Sequence, residues 1–492
     1  MIETLSDRGP REECGVFGIW APGAQVARTA FFALFALQHR GQESAGIATT
    51  DGGRIYLHRG MGLVTQVFDE GSLAPLQGEL AIGHTRYSTT GGPHLRNAQP
   101  YVLQTLKGPL GIAHNGNLTN ANTLRQKVLE RGGGLSTASD SELLLHLLTS
   151  PIHPTLRDDL PDWVARLAGV LEVAEGAYSV VVLTEDGIWA MRDPRGFRPL
   201  CIGTLETGDG REGFVVASES CALETIGAKC VREVRPGEIV GLGPQGLRSW
   251  MALETLPERA LCVFEYVYFA RPDSQLEDRS VHAVREAFGR RLGVEAPAEA
   301  DIVVGIPDSA IPAAVGFAEA TGIPYREGLA KNRYIGRTFI QPDAQLRKDK
   351  VRLKYNPLRD SLAGKRVVLV DDSIVRGSTA GPLVRLVRDA GATEVHVRVS
   401  SPPVRHPCFM GVDLGTYEEI IAARTSIEAI REHIGADSLA YLSHDGMMEV
   451  VRDGLDATDG RCGHCRACFT GEYPITLEDR AAKSSFEGIH GA

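Results

Sequence analysis

Two adjacent carboxylates, Asp371 and Asp372, directly follow the short apolar run Val367–Val370. Such a run is typical of a strand that is buried on both faces in a parallel sheet. Open sheets of this type bind ligands beyond the carboxyl ends of their strands, which is where the two side chains would lie. A pair of carboxylates at that edge indicates a divalent cation or a polyol.

Small, hydroxylated or basic residues follow the two aspartates, namely Ser373, Arg376, Gly377, Ser378 and Thr379. Apolar residues then recur at helical spacing as far as Ala390. A helix that begins after such a loop presents backbone N–H groups and the positive end of its dipole to an anion. The segment therefore predicts a phosphate site beside the carboxylates, although paired aspartates can also simply cap a helix.

The sequence of residues 370–379, V-D-D-S-I-V-R-G-S-T, resembles the loop that binds phosphoribosyl pyrophosphate (PRPP) in type I phosphoribosyltransferases. The resemblance implies that Asp371 and Asp372 hold the ribose hydroxyls, directly or through Mg²⁺. It also implies that residues 373–379 cradle the 5′-phosphate. Ser309, in the run G-I-P-D-S, resembles the serine with which this family assists the metal ion.

A basic and aromatic segment at residues 331–339, K-N-R-Y-I-G-R-T-F, resembles the mobile loop that closes over PRPP in the same family. Taken alone, the segment would be a solvated charged loop. By the resemblance its cations offset the charge of the pyrophosphate leaving group, and its closure excludes water. The further PRPP-binding candidates are Lys331, Tyr334, Arg337 and Lys354.

Cys14 opens a second set of motifs, although a cysteine before an apolar strand is usually a buried small hydrophobe. The runs H-T-R-Y-S-T, H-N-G-N and S-D-S-E follow it, starting at His84, His114 and Ser139. In this order they resemble the class II glutamine amidotransferases, which are hydrolases with an N-terminal nucleophile. The resemblance implies that residues 1–13 are a propeptide whose removal exposes Cys14.

The chemistry of an N-terminal cysteine is consistent with that resemblance. A thiol with a pKa near about 8.5 needs a base, and a free α-amine with a pKa of about 8 on the same residue supplies one. The resemblance assigns the oxyanion hole to the Asn115 side chain and the Gly116 N–H. It assigns the α-carboxylate and α-ammonium of glutamine to Arg86 and Asp140, which could otherwise form a plain salt bridge.

Three cysteines near the C-terminus, Cys462, Cys465 and Cys468, have the spacing C-x₂-C-x₂-C of an iron–sulfur or zinc site. The chain resembles those amidophosphoribosyltransferases that carry both a propeptide and a [4Fe–4S] cluster, which implies that Cys262 and Cys408 are distant ligands. The remaining two ligands are then Cys462 with Cys465, or Cys465 with Cys468. The family places its pair directly before F-T-G, here residues 469–471, which favours Cys465 and Cys468. Because no residue suggests redox chemistry on a substrate, the cluster is expected to be structural.

These residues require two kinds of scaffold. Short alternating strands with interleaved helices in the first half predict an α+β layered domain, and the resemblance gives it the N-terminal-nucleophile (class II glutaminase) fold. Alternation of strand and helix after residue 262 predicts an α/β domain of the type I phosphoribosyltransferase class. The expected divisions are residues 1–13 (propeptide), 14–250 (glutaminase), 251–470 (phosphoribosyltransferase with the iron–sulfur site) and 471–492 (a C-terminal tail).

The composition of the chain limits the class of protein and its location in the cell. The 492 residues carry a formal charge of −10, with 43% hydrophobic and 23% charged residues, which is unlike a general nucleic-acid binder. No apolar run is long enough to cross a membrane, and the polar N-terminus is not a secretory signal. The expected location is the cytoplasm, where the nine cysteines are reduced, catalytic or metal-bound.

Over about residues 14–470 the chain resembles the amidophosphoribosyltransferase family. The resemblance implies that glutamine is hydrolysed with water and that the ammonia passes internally to C1 of PRPP. The products are then glutamate, 5-phosphoribosylamine and pyrophosphate, in the first committed step of purine (IMP) synthesis. It also implies one Mg²⁺ and one [4Fe–4S] cluster per subunit, a homotetramer, and feedback inhibition by purine nucleotides.

Three other functions fit the motifs less well. Glucosamine-6-phosphate synthase shares the glutaminase but has sugar-isomerase domains in place of the PRPP loop. Asparagine synthetase requires an S-G-G-x-D-S motif, which is absent. A non-catalytic PRPP-sensing regulator has no need of a nucleophile, an oxyanion hole and an Arg–Asp pair together.

Overall fold

The computed structural model describes residues 14–87, 92, 94–150, 161–208, 210–253, 255–332, 350–455 and 463–477. The strands of the first half are β1 (Gly15–Trp20), β2 (Ser44–Thr50), β3 (Ile55–Met61), β4 (Leu80–Arg86), β5 (Tyr101–Thr105), β6 (Gly108–Leu118), β7 (Gly176–Leu183), β8 (Ile188–Arg192), β9 (Cys201–Glu206), β10 (Glu212–Ala217), β11 (Lys229–Glu233), β12 (Glu238–Gly243) and β13 (Gly246–Met251). Its helices are α1 (Val26–Ala36), α2 (Val64–Val67), α3 (Glu70–Leu73), α4 (Ala121–Glu130), α5 (Asp140–Thr149), α6 (Asp162–Val173) and α7 (Ser220–Thr225).

Two antiparallel sheets form the centre of this half. One has the order β11-β9-β10-β1-β4-β2-β3 and the other β13-β12-β8-β7-β6-β5. Their facing sides pack together through buried apolar side chains such as Val16, Ile82 and Val181. α1 and α7 cover the outer face of the first sheet, and α4, α5 and α6 cover that of the second. The resulting α-β-β-α layers confirm the predicted α+β layered domain.

The second half has the strands β14 (Leu261–Cys262), β15 (Gln275–Leu276), β16 (Arg279–Ser280), β17 (Ile302–Gly305), β18 (Leu329–Lys331), β19 (Tyr355–Pro357), β20 (Arg366–Asp371), β21 (Glu394–Val399), β22 (Ser438–Tyr441) and β23 (His464–Cys465). Its helices are α8 (Val281–Glu295), α9 (Ile311–Thr321), α10 (Lys350–Lys354), α11 (Arg359–Leu362), α12 (Ala380–Asp389), α13 (Ile421–Arg424), α14 (Ile427–Ile434), α15 (His444–Arg452) and α16 (Ala467–Thr470). No helix within the described ranges combines the length and apolar character needed to span a membrane.

A parallel sheet with the order β17-β20-β21-β22 carries the second half. β20 is buried on both faces, with one core cluster against α8, α9 and α15 and another against α12 and α14. The strand extends the predicted run Val367–Val370 by one residue at each end. Because Gly305 of β17 pairs with Val370 of β20, the ends of the two strands lie side by side. The predicted α/β class is confirmed.

Buried charge joins the two halves. The Arg40 guanidinium, which is almost fully buried, forms ion pairs with Glu219 of the first half and Glu265 of the second. Both carboxylates are completely buried, so removing one partner would leave an uncompensated charge inside the protein. This contact therefore fixes how the two halves meet.

Candidate active sites

The Cys14 thiol lies immediately before β1 and is 5% exposed. It donates a hydrogen bond to the Tyr87 carbonyl at 3.3 Å, and the Tyr87 N–H approaches its sulfur at 3.5 Å. Burial raises the pKa of Cys14 to about 11, against the opposing effects of the Tyr87 hydrogen bond and of Arg86. The thiol is therefore neutral near pH 7 and needs a base before it can act as a nucleophile.

Asn115 lies on β6 and is completely buried. Neither polar atom of its side chain has a hydrogen-bond partner among the described residues. Buried polar atoms without partners are rare in proteins, and they are expected where a ligand completes the bonding. The next residue, Gly116, has a φ of +143°, and a Cβ there would lie 1.9 Å from the Ala177 carbonyl oxygen, so only glycine fits.

Arg86 and Asp140 flank the cysteine, since both act electrostatically on the Cys14 thiol. Arg86 is the last residue of β4 and Asp140 the first of α5, so both side chains come from the ends of rigid elements. Asp140 Oδ2 accepts a hydrogen bond from the Leu118 N–H at 3.0 Å. The structure thus brings one fixed cation and one fixed anion to the nucleophile, while their glutamine-binding roles stay predictions.

Two further residues of this site do not stand out in the sequence. Glu43 Oε2 lies 3.7 Å from Arg86 Nη1. The Gln99 side chain brackets the backbone of His114, accepting from its N–H at 2.8 Å and donating to its carbonyl at 3.4 Å. His114 precedes Asn115, so Gln99 helps to fix the strand that carries the unpartnered amide.

Asp371 and Asp372 lie where the sequence predicts, at the carboxyl end of β20. The Ser309 hydroxyl donates to the Asp372 carboxylate, and the Ser373 hydroxyl donates to its Oδ1 at 2.7 Å. Burial raises the pKa of both aspartates, and the charge of Asp372 raises that of Asp371 further. Two crowded carboxylates, one half-buried and one buried, beside a serine hydroxyl are a fitting partial ligand set for Mg²⁺, which usually takes its remaining ligands from substrate and water.

Two of the predicted cations reach this edge of the sheet. Lys331 forms an ion pair with Asp308 in the turn after β17. Lys354 lowers the pKa of both Asp371 and Asp372. Tyr334 and Arg337 lie outside the described residues.

The phosphate loop ends at the N-terminus of α12, as expected for an anion site. Gly377 has a φ of +74°, and the Thr379 side chain makes no cap hydrogen bond to the helix that follows it. Arg376 has a different environment from the one expected, because its Nη2 donates to Glu419 Oε2 at 3.2 Å. Its contact with PRPP, like those of Ser373, Gly377, Ser378 and Thr379, stays a prediction.

Four cysteines from three parts of the chain lie near one another. The parallel pairing of β14 with β23 sets Cys262 opposite Cys465. The Cys468 carbonyl accepts hydrogen bonds from the N–H groups of residues 405 and 406, close to Cys408. Burial raises the pKa of the Cys468 thiol, and the charges of Cys262, Cys465 and Cys408 raise it further, so all four sulfurs interact. Cys462 lies outside the described residues.

Among the described residues, no three His, Cys, Asp or Glu side chains close on one point as a metal ion requires. The iron–sulfur ligand set therefore stays a prediction.

The segment after Cys408 packs directly on the strand of Asn115. The Asn117 side-chain amide donates to the Phe409 carbonyl at 3.0 Å, and Arg198 donates to the Met410 carbonyl. A Cβ on Gly411, whose φ is +100°, would lie 3.2 Å from the Gly116 carbonyl carbon. The cysteine site and the Cys14 site are therefore joined by direct contact between the two halves.

Comparison with known proteins supports the two-domain description. Residues 84–225 match the family model described as "Glutamine amidotransferase domain", and residues 273–402 match "Phosphoribosyl transferase domain". Both classes predicted from the sequence are thereby confirmed.

Three similar proteins match this chain over nearly its whole length. Amidophosphoribosyltransferase of Synechococcus elongatus is 51% identical over 96% of this chain and 94% of that protein. The protein of the same name from Rattus norvegicus is 47% identical over 96% of this chain and 99% of its own length. The solved glutamine PRPP amidotransferase of B. subtilis, complexed with ADP and GMP, is 45% identical, covers 95% of this chain and 99% of its own, and has a TM-score of 0.86. With these identities over almost the full length, the chain belongs to the amidophosphoribosyltransferase family.

Proposed function

We propose that this chain transfers the amide nitrogen of glutamine to C1 of PRPP, giving glutamate, 5-phosphoribosylamine and pyrophosphate, in the first committed step of purine (IMP) synthesis. The observation that carries the proposal is the pairing of two sites in one chain. Cys14 lies within the electrostatic reach of Arg86 and Asp140, and Asp371 and Asp372 lie at the end of the parallel sheet. The near full-length family match supports the same reaction.

In the first half-reaction, the Cys14 sulfur attacks the amide carbon of glutamine after its proton passes to the α-amine of the same residue. The tetrahedral oxyanion is stabilised by the Asn115 side chain and the Gly116 N–H. The α-ammonium returns this proton to the amide nitrogen, which leaves as ammonia, and water then hydrolyses the thioester to glutamate and free thiol. The raised pKa of the buried thiol explains why this step needs the amine.

In the second half-reaction, ammonia attacks C1 of PRPP and pyrophosphate leaves. Asp371 and Asp372 hold the ribose hydroxyls, and residues 373–379 hold the 5′-phosphate beside the N-terminus of α12. Lys331, Arg337 and Lys354 offset the charge of the leaving group, and Tyr334 belongs to the same PRPP-binding set. Mg²⁺, when bound by Ser309, Asp371 and Asp372, supplies further positive charge there.

A direct assay tests the proposal. The purified, iron-loaded protein should release glutamate and form pyrophosphate in equal amounts when glutamine, PRPP and Mg²⁺ are all present. Glutamate release without any consumption of PRPP would show that the protein is a glutaminase only. No turnover of either substrate by the folded protein would contradict the proposal as a whole.

The finer organisation follows from the same family. We propose a propeptide at residues 1–13, a glutaminase domain at 14–250, a transferase domain at 251–470 and a tail at 471–492. A cytoplasmic homotetramer inhibited by purine nucleotides is the expected assembly. The B. subtilis relative was solved in complex with ADP and GMP, which supports nucleotide binding by this chain.

Maturation is the first testable consequence of the proposed mechanism. If the α-amine of Cys14 is the base, the active enzyme must begin at Cys14, because an internal residue has only an amide nitrogen. Intact-mass or N-terminal analysis of active enzyme should therefore find no chain that retains residues 1–13. A fully active preparation that still carries these residues would exclude the α-amine as the base.

We also propose that Cys262, Cys408, Cys465 and Cys468 hold one structural [4Fe–4S] cluster. Their mutual interaction supports this set, with Cys262 and Cys465 buried and Cys408 and Cys468 half-buried. The strand that carries Cys465 is anchored by a buried hydrogen bond between His464 Nε2 and Glu277 Oε2 at 2.9 Å. Such an anchor keeps a ligand in place before the metal arrives.

Single cysteine substitutions test this ligand set. Cys465→Ser and Cys468→Ser should each lose the brown chromophore and the iron, and should unfold at lower temperature, because each removes a ligand. Cys462→Ser is the matched control and should keep both colour and iron. A colourless Cys462→Ser protein would show that the C-terminal ligands are Cys462 and Cys465. Zinc found in place of iron would exclude the iron–sulfur cluster.

A further inference from the structure

Two cysteines that the proposed reaction does not use lie side by side in the glutaminase half. Cys201 opens β9 and is buried, whereas Cys230 is the second residue of β11 and is exposed. Cys230 is paired with Gly203, two residues along β9 from Cys201. Since side chains alternate along a strand, Cys201 and Cys230 point to the same face of the sheet and are diagonal neighbours.

The position between the two thiols holds no side chain. Gly203 occupies it, and a Cβ there would lie 2.6 Å from the Lys229 carbonyl oxygen. The two thiols interact across this position, while the Cys201 thiol donates to the Ala217 carbonyl at 3.4 Å. Their interaction lowers the pKa of Cys230 and raises that of Cys201, so the exposed sulfur is the one that ionises first.

The strand that carries Cys230 can adjust. β11 lies at the edge of its sheet and has β9 as its single neighbour there. Its register shifts between Cys230 and Arg232, which is a β-bulge directly beside the cysteine. An edge strand with a bulge at this point can shift more readily than an inner strand that is paired on both sides, and bond formation between the two sulfurs requires such a shift.

We propose that Cys201 and Cys230 form a reversible disulfide, with a low-molecular-weight disulfide such as that of glutathione as the oxidant. The Cys230 thiolate attacks one sulfur of the oxidant, forms a mixed disulfide and releases one thiolate. The Cys201 sulfur, after losing its proton to solvent, then attacks Cys230 and releases the second thiolate. Two protein thiols are oxidised and one external disulfide is reduced to two thiols.

A third cysteine of the same region provides an internal comparison. Cys221 is buried on α7, and its thiol donates to Glu219 Oε2 at 3.7 Å. Burial and the charge of Glu219 raise its pKa. It lies on α7 and is not the cross-strand neighbour of Cys230, so it is not expected to resolve the mixed disulfide on Cys230.

The disulfide would act on an edge that contacts the other half. Glu233, the last residue of β11, pairs with Arg192 at 3.1 Å and accepts from the Glu277 N–H at 2.8 Å. A bond between Cys201 and Cys230 would fasten β11 to β9 and so restrain Glu233. The site uses no residue of the proposed reaction, so it can be tested whether or not that reaction is correct.

Peptide mapping of the full-length, iron-loaded protein tests the proposal. After incubation with glutathione disulfide and blocking of free thiols, trypsin should release residues 196–211 linked to residues 230–232. The linked species should lack two hydrogens relative to the separate peptides and should disappear on treatment with dithiothreitol. Because the readout resolves each cysteine, reaction at Cys14 does not disturb it.

Two variants make the result specific. Cys201→Ser should accumulate glutathione on Cys230, because the mixed disulfide has lost its resolving thiol. Cys221→Ser should form the linked peptide as the parent protein does. The proposal is overturned if the parent protein accumulates the same glutathione adduct as Cys201→Ser, if Cys230 does not react, or if Cys221 replaces Cys201 in the linked species.

Discussion

A Cys14→Ala variant is expected to lose glutamine-dependent synthesis of 5-phosphoribosylamine while keeping synthesis from added ammonium salts. Loss of a hydrolase nucleophile costs on the order of 10⁶-fold in kcat, so the glutamine-dependent rate should fall to background. The Asp371 and Asp372 site is carried by the other half of the chain and requires only NH₃ as nucleophile. The ammonia-dependent rate should therefore stay within about twofold of the parent and should rise with pH as ammonium is converted to ammonia.

A matched control separates the chemistry from packing. Cys221→Ala also removes a buried thiol from the glutaminase half, but from α7 and not from the β1 site. It should retain both activities. If folded Cys14→Ala loses the ammonia-dependent activity as well, the two half-reactions are not separable in the way proposed.

The sequence predicted those parts of the sites that lie within short continuous segments. Asp371 and Asp372 lie at the end of a strand, and the loop after them leads into a helix. This is the order of elements that the sequence pattern predicts. Cys14 before β1 and Asn115 on β6 were likewise recognisable because each stands in a short motif. Such motifs persist because the chemistry requires particular residues at particular spacings along one stretch of chain.

Contacts between distant segments could not be predicted in this way. Arg40 meets Glu265 across 225 residues, and Asn117 meets Phe409 across 292. Nothing in the local pattern around Gln99 marks it as the support of His114. The pairing of Arg376 with Glu419 also depends on tertiary packing, because a guanidinium in a phosphate loop has several possible acceptors.

The contact between residues 409–411 and the Asn115 strand has a consequence for stability as well as for chemistry. Cys408 precedes this segment, so a cluster bound at Cys408 would hold the segment against Asn117. Loss of the iron–sulfur cluster is then expected to disturb β6, the strand that carries Asn115, before it disturbs β20. β20 is supported by hydrophobic side chains on both of its faces. The glutaminase activity should accordingly be the first to fall when iron is removed.

A double substitution, Asp371→Asn with Asp372→Asn, is expected to reduce both glutamine-dependent and ammonia-dependent synthesis. Both modes use PRPP, and the two carboxylates are the proposed ligands of its ribose and of Mg²⁺. Removing the charge that organises a phosphate–metal site costs about 10²-fold to 10³-fold or more, so both rates should fall together. Asp389→Asn is the control, because Asp389 is an exposed aspartate of the same half that pairs with Arg352 at the end of α12.

The single substitution Asp371→Asn distinguishes a binding role from a structural one. The Asp371 carboxylate is half-buried beside a second carboxylate, and its Oδ1 accepts from the Asp372 N–H at 2.9 Å, a bond that an asparagine oxygen can keep. Neutralising one of two crowded carboxylates relieves their repulsion, so the melting temperature without ligands should not fall. PRPP with Mg²⁺ should raise the melting temperature of the parent protein but not that of Asp371→Asn. A ligand stabilises a folded protein only if the folded state binds it. A variant that melts earlier without ligand yet keeps the full PRPP-dependent increase would show that Asp371 supports the fold and does not hold the substrate.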